Sequence, residues 1–279
     1  MTDHPTGTDP TPGTSPPGSR SRRLGLLLGG LVVVAAIALA VTWYLGRDTP
    51  AAVDTQAAVD AATAADDVSG EEEEDSEGTD PEEGAADGTV QGPLATEWVV
   101  DTDLVAFDFD DGTGTFLGFR IDEELTTVGA TTAVGRTPEV EGTLTLDGSV
   151  LAQATITGDL TALTTDIRQR DGRAQRAMNT DTHPTSTFEL TEPVDLGTEP
   201  VPDDRLTLDA AGELTLNGVT QPVSAAIDAI LLGSDDRLLV TGSFEVLLSD
   251  HDLVAPSAPI VVSVADTATI EFQLYLTPA

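Results

Sequence analysis

Four arginines lie within nine residues in the middle of the chain, and their chemistry suits an anionic group. They are Arg168, Arg170, Arg173 and Arg176. A guanidinium group presents a planar fork of donors that can bind phosphate oxygens in pairs, so the cluster could hold a phosphate or a similar headgroup. The alternative is ion pairing with nearby acids such as Asp166, Asp171 and Asp181. We favour ion pairing, because the surrounding sequence is strongly acidic.

Residues that could support catalysis are few. The histidines are His4, His183 and His251, and the last stands between Asp250 and Asp252. One histidine flanked by acids could be a fragment of a metal site or a triad, but such a motif is usually surface or loop chemistry. The absence of cysteine excludes disulfides, thiolate metal sites, iron–sulfur clusters and cysteine nucleophiles. Since no Gly-x-Ser-x-Gly motif occurs either, we expect a protein that is not an enzyme and needs no metal or cofactor.

The net charge divides the chain into four parts. The 279 residues carry 12 basic and 49 acidic side chains, for a formal charge of −37. Residues 1–23 have a net charge of +1, residues 24–45 carry none, residues 46–93 carry −14 and residues 94–279 carry −24. Binding of DNA or RNA needs a basic face that neutralises phosphates, so we expect no nucleic-acid partner.

The uncharged stretch at 24–45 has the properties of a transmembrane helix. It consists mainly of Leu, Val, Ala, Ile and Gly and is long enough to cross the bilayer core. Trp43 and Tyr44 lie at its C-terminal end, where aromatic residues suit the membrane interface. Three arginines precede it and one follows, which predicts a disordered cytoplasmic tail at 1–23 and a single-pass protein whose C-terminal domain is extracytoplasmic. The alternative is a signal peptide cleaved near 38–40, which would give a secreted protein.

Residues 46–93 have the composition of a linker. They are rich in Ala, Asp, Glu and Gly, lack aromatic side chains and contain the run EEEEDSEGTDPEE at 71–83. Such a segment buries too little apolar surface to offset the entropy of ordering it. The sequence therefore predicts a disordered acidic linker between the membrane and a domain at 94–279.

Apolar and polar residues alternate along much of the chain after residue 94. The even positions are mainly apolar at 150–160, 236–248 and 268–276, which is typical of half-buried strands. Asp-Gly at 147–148 and Asn-Gly at 217–218 are strong hairpin signals. Eight or nine strands, one of them at about 97–109, predict an antiparallel barrel or sandwich, with a short helix or long loop at 165–178. The many small inward candidates fit either a dry core, which composition favours, or an unfilled apolar lumen.

Two longer motifs give this domain a family resemblance. The stretch RDGRAQRAMNTDTHPTSTFEL at 170–190 and the stretch GELTLNGVTQPVSAAI at 212–227 resemble the YceI-like family of lipid- and polyisoprenoid-binding proteins. WVVDTDLVAFDF at 98–109 resembles the first strand of that family, and AVGRTPEVEGTLTLDG at 133–148 resembles its membrane-anchored actinobacterial members. The resemblance spans 97–277, with departures at His183, Asn217 and near Met178.

The resemblance implies an all-β, lipocalin-like antiparallel barrel that holds an isoprenoid-type lipid, a polyprenyl chain or a quinone, in its lumen. Burial of a long apolar tail would supply about 0.8 kcal/mol per methylene group. The side chains expected to line the lumen are Phe107, Phe109, Phe119, Ile121, Ile156, Phe188, Leu190, Phe244, Ile270 and Phe272. The arginine cluster would then lie at the barrel mouth as a headgroup site. A dry β-sandwich that serves as a cell-surface interaction module is the alternative.

Overall fold

The alternating segments of the sequence form antiparallel strands, as their pattern predicts. A computed structural model describes residues 49–70, 96–233 and 237–279. Thirteen strands lie in these ranges and belong to one sheet. They are β1 (Glu97–Asp101), β2 (Phe116–Leu125), β3 (Gly129–Thr137), β4 (Val140–Asp147), β5 (Val150–Asp159), β6 (Thr164–Thr165), β7 (Thr185–Leu190), β8 (Val194–Asp195), β9 (Arg205–Leu216), β10 (Val219–Leu232), β11 (Arg237–Leu247), β12 (Val261–Val264) and β13 (Thr267–Pro278).

Eight of these strands close into a barrel. Neighbours pair antiparallel in the order β1, β4, β5, β7, β9, β10, β11 and β13, and β13 pairs with β1 to complete the ring. The ring confirms the predicted antiparallel barrel, and the alternative of a two-sheet sandwich is wrong. Strand β13 also pairs with β2 through its N-terminal half, so that β2, β3, β6 and β12 extend the wall beyond β1.

The two hairpin signals form two-residue turns. Gly148 and Ser149 connect β4 to β5, and Asn217 and Gly218 connect β9 to β10. Gly148, Asn217 and Gly218 all have φ between 53° and 72°, the left-handed region that Gly and Asn adopt most readily. These turns lie at opposite ends of the barrel.

The first predicted strand is shorter than its alternation suggested. Strand β1 ends at Asp101, whose carboxylate accepts hydrogen bonds from the backbone N–H groups of Asp103 and Leu104 and so turns the chain. Asp108 makes the same type of turn with Asp110 and Asp111. The prediction of a continuous strand over 97–109 was therefore wrong, and residues 102–115 form a loop outside the barrel.

Part of the predicted disordered linker is a helix. Helix α1 (Thr55–Gly70) begins where the Asp54 carboxylate accepts a hydrogen bond from the N–H of Ala57 at 2.8 Å, a typical N-cap. Ala58 and Ala62 are buried against the barrel wall with Val105, Ile230, Leu232, Leu239 and Tyr275. The prediction of disorder is wrong for these residues, since packing on the barrel stabilises a helix that would be marginal alone.

Helix α2 (Arg168–Ala177) occupies the segment where a short helix or a long loop was predicted. It lies at the Asn217–Gly218 end, because the Asn179 side chain donates to Asn217 Oδ1 and Asn217 donates to the carbonyl of His251. We call this end, with the 3₁₀ turn Leu248–His251 and the loop that follows it, the α2 end.

The predicted tail at 1–23, membrane helix at 24–45 and acidic run at 71–83 lie outside the described residues. Within the described ranges, neither helix combines the length and the apolar character that crossing a bilayer requires.

Candidate functional site

The inward-facing side chains of the barrel strands form one apolar interior. On β13 the inward residues are Ile270, Phe272, Leu274 and Leu276, and those of the other strands pack with them in the same cluster. A bulge in the β4–β5 pair moves the inward face of β5 from Ala154 to Leu151. The barrel therefore has a continuous apolar lining from one end to the other.

The interior is densely packed at the end that carries the β4–β5 turn. Trp98 and Leu276 are completely buried there, and Leu146 and Leu238 are each 6% exposed. Along β13 the exposure of inward side chains then rises toward the α2 end, from 0% at Leu276 through 3% at Leu274 and 9% at Phe272. These large side chains therefore seal one end of the barrel.

Several inward side chains are only partly buried. Phe119, Phe188, Ile227 and Ile270 pack against the interior cluster but retain accessible surface. An inward side chain of the barrel wall stays accessible only where the interior has unfilled space or opens to solvent. The described interior thus keeps accessible apolar surface at these positions, although Leu216 and Val246 near the α2 end are buried.

Three phenylalanine rings pack closely over glycines of the wall. A methyl group built on Gly135 would stand 2.4 Å from the ring of Phe119, and its counterpart on Gly242 would stand 2.4 Å from the ring of Phe272. These residues are direct cross-strand partners. A β-carbon on Gly212 would likewise stand 2.3 Å from the ring of Phe188, which is its diagonal neighbour across the β7–β9 pair. The glycines let the rings lie along the wall, which keeps them from crossing the interior.

The rings also contact one another along the interior. The centroid of Phe244 is 6.5 Å from that of Phe188 and 6.5 Å from that of Phe272, and both pairs are tilted. Such pairs are stabilised by their ring quadrupoles as well as by burial. Together these rings form an aromatic strip on the wall toward the α2 end.

Seven of the ten predicted lumen residues are brought together by the fold. These members of the interior cluster are Phe119, Ile156, Phe188, Leu190, Phe244, Ile270 and Phe272. Ile121 is partly buried on β2 outside that cluster. Phe107 and Phe109 are misplaced by the prediction, because β1 ends at Asp101 and both lie in the outer loop. Phe107 contacts Phe116 edge to face, and Phe109 lies beside the guanidinium of Arg136.

A buried charge network on the outer wall was missed by the sequence interpretation. The Arg136 side chain is completely buried, and its Nη2 lies 3.0 Å from Oε1 of Glu271. Nη1 donates to the carbonyl of Phe109 at 2.6 Å, Nη2 donates to the carbonyl of Ala51, and the guanidinium lies 4.5 Å from the ring centroid of Phe116. Burial lowers the pKa of Arg136 from its ordinary value, and the negative charge of Glu271 opposes that shift.

This network fastens the segment before the barrel to the wall. Arg120 donates to the carbonyl of Pro50 at 2.8 Å, and the Val53 N–H donates to Glu271 Oε2 at 3.4 Å. Further along, the Tyr275 hydroxyl donates to the Ala58 carbonyl at 2.7 Å. Residues 50–62, which we call the strap, therefore cover the outside of strands whose inner faces line the interior. The Asp54 N-cap and an alanine at every third or fourth position were the only sequence signals for it.

The four arginines of α2 do not share one role. Arg170 pairs with Glu123 of β2, and its Nη1 lies 3.3 Å from Asp166. Burial raises the pKa of the Asp166 carboxyl above its ordinary value, and Arg170 opposes that shift. The predicted ion pairing is thus observed for Arg170. The other three, Arg168, Arg173 and Arg176, are exposed at the α2 end, and their role as headgroup ligands stays a prediction.

The Asp-His-Asp motif has a structural setting. The His251 ring is 1% exposed and its Nδ1 lies 3.0 Å from the carbonyl oxygen of Val219, whereas Asp250 and Asp252 are exposed. Asp252 adopts φ of 54° at the end of the 3₁₀ turn. Glu123 and Glu124 point to opposite faces of β2, with only Glu123 buried. In the described ranges, no three His, Asp or Glu side chains converge closely enough to hold a metal ion.

Comparison with known proteins gives one family and one similar fold. Residues 107–276 match the YceI-like domain. The chain is 32% identical over 130 residues to Protein YceI of Shigella flexneri and to that of Escherichia coli O157:H7, which covers 45% of this chain and 61% of each relative. The chain thus spans about three fifths of the length of these curated relatives.

A solved polyisoprenoid-binding domain from Saccharophagus degradans, implicated in plant cell wall breakdown, has a similar fold. The TM-score is 0.50 at 19% identity, and the match covers 67% of this chain and 100% of that domain. At this identity the similarity shows the fold alone. It agrees with the eight-stranded antiparallel barrel, and the family match begins after β1 and covers the other seven strands of the barrel almost completely. The chain belongs to the YceI-like domain family.

Proposed function

We propose that the barrel binds an isoprenoid-type lipid in its interior, with the tail lying along the aromatic strip. The observation that carries this proposal is the partial exposure of inward apolar side chains in a closed barrel. Phe119, Phe188, Ile227 and Ile270 pack against the interior cluster and retain accessible apolar surface. Covering that surface with an aliphatic chain would contribute about 25 cal/mol per Å².

The shape of the lining suits a branched, flexible tail. Rings that pack closely over Gly135, Gly212 and Gly242 leave the centre of the barrel to a ligand. The end sealed by Trp98 and Leu276 would stop the tail, so its headgroup would remain near the α2 end. The name of the domain from Saccharophagus degradans, which refers to polyisoprenoid binding, supports the same ligand class for this chain.

The exposed arginines of α2 are the proposed contacts for the headgroup. Arg168, Arg173 and Arg176 lie at the end where the tail would emerge, and guanidinium groups bind phosphate oxygens in pairs. Arg170 is less suited, because its ion pairs with Glu123 and Asp166 already use its donors. Arg173→Ala should therefore weaken the binding of a polyprenyl phosphate. The same variant should bind the uncharged polyprenyl alcohol as tightly as wild type.

We propose binding or carriage without turnover, outside the cytoplasm. The buried His251 ring, directed at a backbone carbonyl, supports a structural role for the one histidine flanked by acids. The apolar stretch at 24–45 and the arginines before it support a single-pass membrane anchor of the actinobacterial type. A reporter enzyme that works only outside the cytoplasm should be active when fused after Ala279. Activity of a reporter that works only in the cytoplasm would contradict the proposed orientation of the anchor.

A bulky substitution inside the barrel tests the ligand site. In the full chain stripped of lipid and held in mild detergent, Phe188→Trp should lower the affinity for a prenyl alcohol at least tenfold, because the larger ring fills the interior. Phe107→Trp is the matched control, since the same change falls on the outer loop. Near-ultraviolet circular dichroism would verify that both variants fold. Equal affinity in wild type and Phe188→Trp would contradict the proposed site.

A further inference from the structure

Exposed large apolar side chains are concentrated at one end of the barrel. In the described part of the chain six such residues stand out, and five of them lie at the α2 end. These are Val128, Leu247, Val254, Ile260 and Val262, with exposed fractions of 41%, 42%, 81%, 54% and 57%. The sixth is Val201, at the opposite end beside the bridge from Pro202 to Leu231. We call the five residues the α2-end patch.

The patch is held together by backbone contacts. The loop from the 3₁₀ turn to β12 carries Val254 and Ile260, and the Ile260 carbonyl accepts a hydrogen bond from the Thr126 N–H at 2.9 Å. This bond ties the loop to the β2–β3 turn, which carries Val128. Strand β12, with Val262, pairs with β2. The exposed apolar side chains therefore belong to neighbouring elements at one end of the molecule.

The patch has a composition that separates it from the rest of the surface. Residues 253–265 contain no charged side chain, although the domain from residue 94 onward carries a net charge of −24. The stretch also lacks Trp, Tyr and Arg, the residues that anchor most protein–protein interfaces. Its side chains are mainly Val, Ile, Ala and Pro, which transfer into a hydrocarbon region without burying a polar group.

The patch is continuous with the interior. Leu253 packs against the interior cluster, and the next residue, Val254, is the most exposed large apolar residue described. The exposed arginines Arg168, Arg173 and Arg176 lie at this same end and suit the phosphates of a lipid surface. The acids Asp250 and Asp252 stand before the uncharged stretch, Asp266 follows it and the exposed Glu124 pairs with Ser263 of β12, so the apolar loop rather than net charge would provide most of the contact.

We propose that the α2 end docks on the surface of a phospholipid bilayer, with Val254, Ile260 and Val262 inserted among the lipids. This inference rests on the proposed function, because the docked surface would serve the exchange of the bound lipid. A lipid with a long apolar tail would pass between the bilayer and the barrel interior without crossing water. Docking would place the α2 end, rather than the end that carries the buried Trp98, against the membrane.

Site-specific fluorescence in the full chain tests this docking. The chain has no cysteine, so a single one can be introduced and labelled with the environment-sensitive dye NBD. Val254→Cys would report on the patch, and Val201→Cys, exposed at the opposite end, is the matched control. In vesicles of phosphatidylethanolamine and phosphatidylglycerol, NBD at position 254 should shift to the blue and be quenched by spin-labelled lipids, whereas NBD at position 201 should be quenched only by aqueous iodide.

Two other results at position 254 would overturn the docking proposal. Iodide quenching at position 254 equal to that at position 201 would show that the patch faces water. A blue shift at position 254 without quenching by spin-labelled lipids would show that protein covers the patch, either residues 24–45 of this chain, a second copy or another partner. The same labelled samples are extracted for isoprenoid lipid, which separates the two claims. Docking without extracted isoprenoid lipid would support the docking surface and refute the proposed function. Extracted isoprenoid lipid without docking would support the proposed function and refute the docking surface.

A kinetic variant provides an independent readout. The paired substitution Val254→Asp with Ile260→Asp should slow transfer of a prenyl alcohol between vesicles at least tenfold and leave the equilibrium affinity in detergent unchanged. Val201→Asp should alter neither quantity. Unchanged transfer in the paired variant would contradict a role of the patch in exchange with the membrane.

Discussion

Adding one methyl group to Gly135 should weaken lipid binding by pushing a ring off the wall. A β-carbon at this position would stand 2.4, 2.7 and 3.1 Å from three ring atoms of Phe119, and no backbone atom is among its three nearest neighbours. Since ordinary contact begins near 3.4 Å, the ring must move by roughly 1 Å or rotate. Phe119 packs against the interior cluster, so the available direction is into the barrel.

The loss of binding free energy depends on the interior volume that the displaced Phe119 ring occupies. If the displaced ring excludes two to three methylene groups of the tail, Gly135→Ala loses about 2 kcal/mol of binding free energy, or roughly thirtyfold in Kd. Overpacking should also lower the free energy of unfolding by about 1–3 kcal/mol. Equilibrium titration of lipid-free full chain with a prenyl alcohol, followed by fluorescence, would measure the first quantity, and urea unfolding would measure the second.

A compensating variant makes the test specific. Gly135→Ala combined with Phe119→Leu removes the ring that clashes, so affinity should return to within about threefold of wild type. Recovery would show that the loss arises from ring displacement and not from damage to strand β3. Wild-type affinity in Gly135→Ala, or no recovery in the double variant, would refute the view that the rings on the glycines leave space for a ligand.

Three further predictions concern the wall of the barrel. Arg136→Met should lower the free energy of unfolding by about 3–5 kcal/mol because it leaves the buried Glu271 carboxylate poorly compensated; a loss below 1 kcal/mol by urea unfolding would count against the network. Ala58→Asp should abolish hydrogen-exchange protection of α1 because it buries an unpaired charge, whereas Ala57→Asp, at an exposed position, should not. Burial raises the pKa of Asp166, so its ionisation costs stability as pH rises from the ordinary Asp range through the raised value. Asp166→Asn should therefore be at least as stable as wild type at pH 7, with a difference that shrinks below pH 4, and a less stable variant at pH 7 would contradict that sign.

The strands could be predicted from the sequence because their burial is one-sided. Val240, Phe244 and Val246 alternate with Thr241, Ser243 and Glu245 on β11, and all three apolar side chains face the interior as predicted. The Asn217–Gly218 turn was likewise set by local backbone preference. These features depend on neighbours in sequence, so the sequence pattern is sufficient to indicate them.

The strap could not be predicted in the same way. Ala58 and Ala62 add little to local hydropathy, and the helix they belong to would be marginal in isolation. Its stability depends on distant partners such as Tyr275, which are separated from it by more than two hundred residues. Acidic composition alone therefore predicted disorder where tertiary contacts impose a helix.

The outer loop was misjudged for a local reason. Phe107 and Phe109 continue the alternation of β1, but Asp101 and Asp108 offer carboxylates that close turns over the following backbone N–H groups. Turn-forming side chains outweighed alternation at this point. The buried Arg136 was missed because a lone arginine on a strand is usually exposed, and only the fold brings it to Glu271.

Organic extraction and mass spectrometry of the full chain, purified from its native cells, test the central claim most directly. If the barrel interior binds an isoprenoid-type lipid, a polyprenyl chain or isoprenoid quinone should copurify at about one molecule per chain, and Phe188→Trp should remove it. Absence of such a lipid from the wild-type protein, or equal amounts with Phe188→Trp, would contradict lipid binding in the interior.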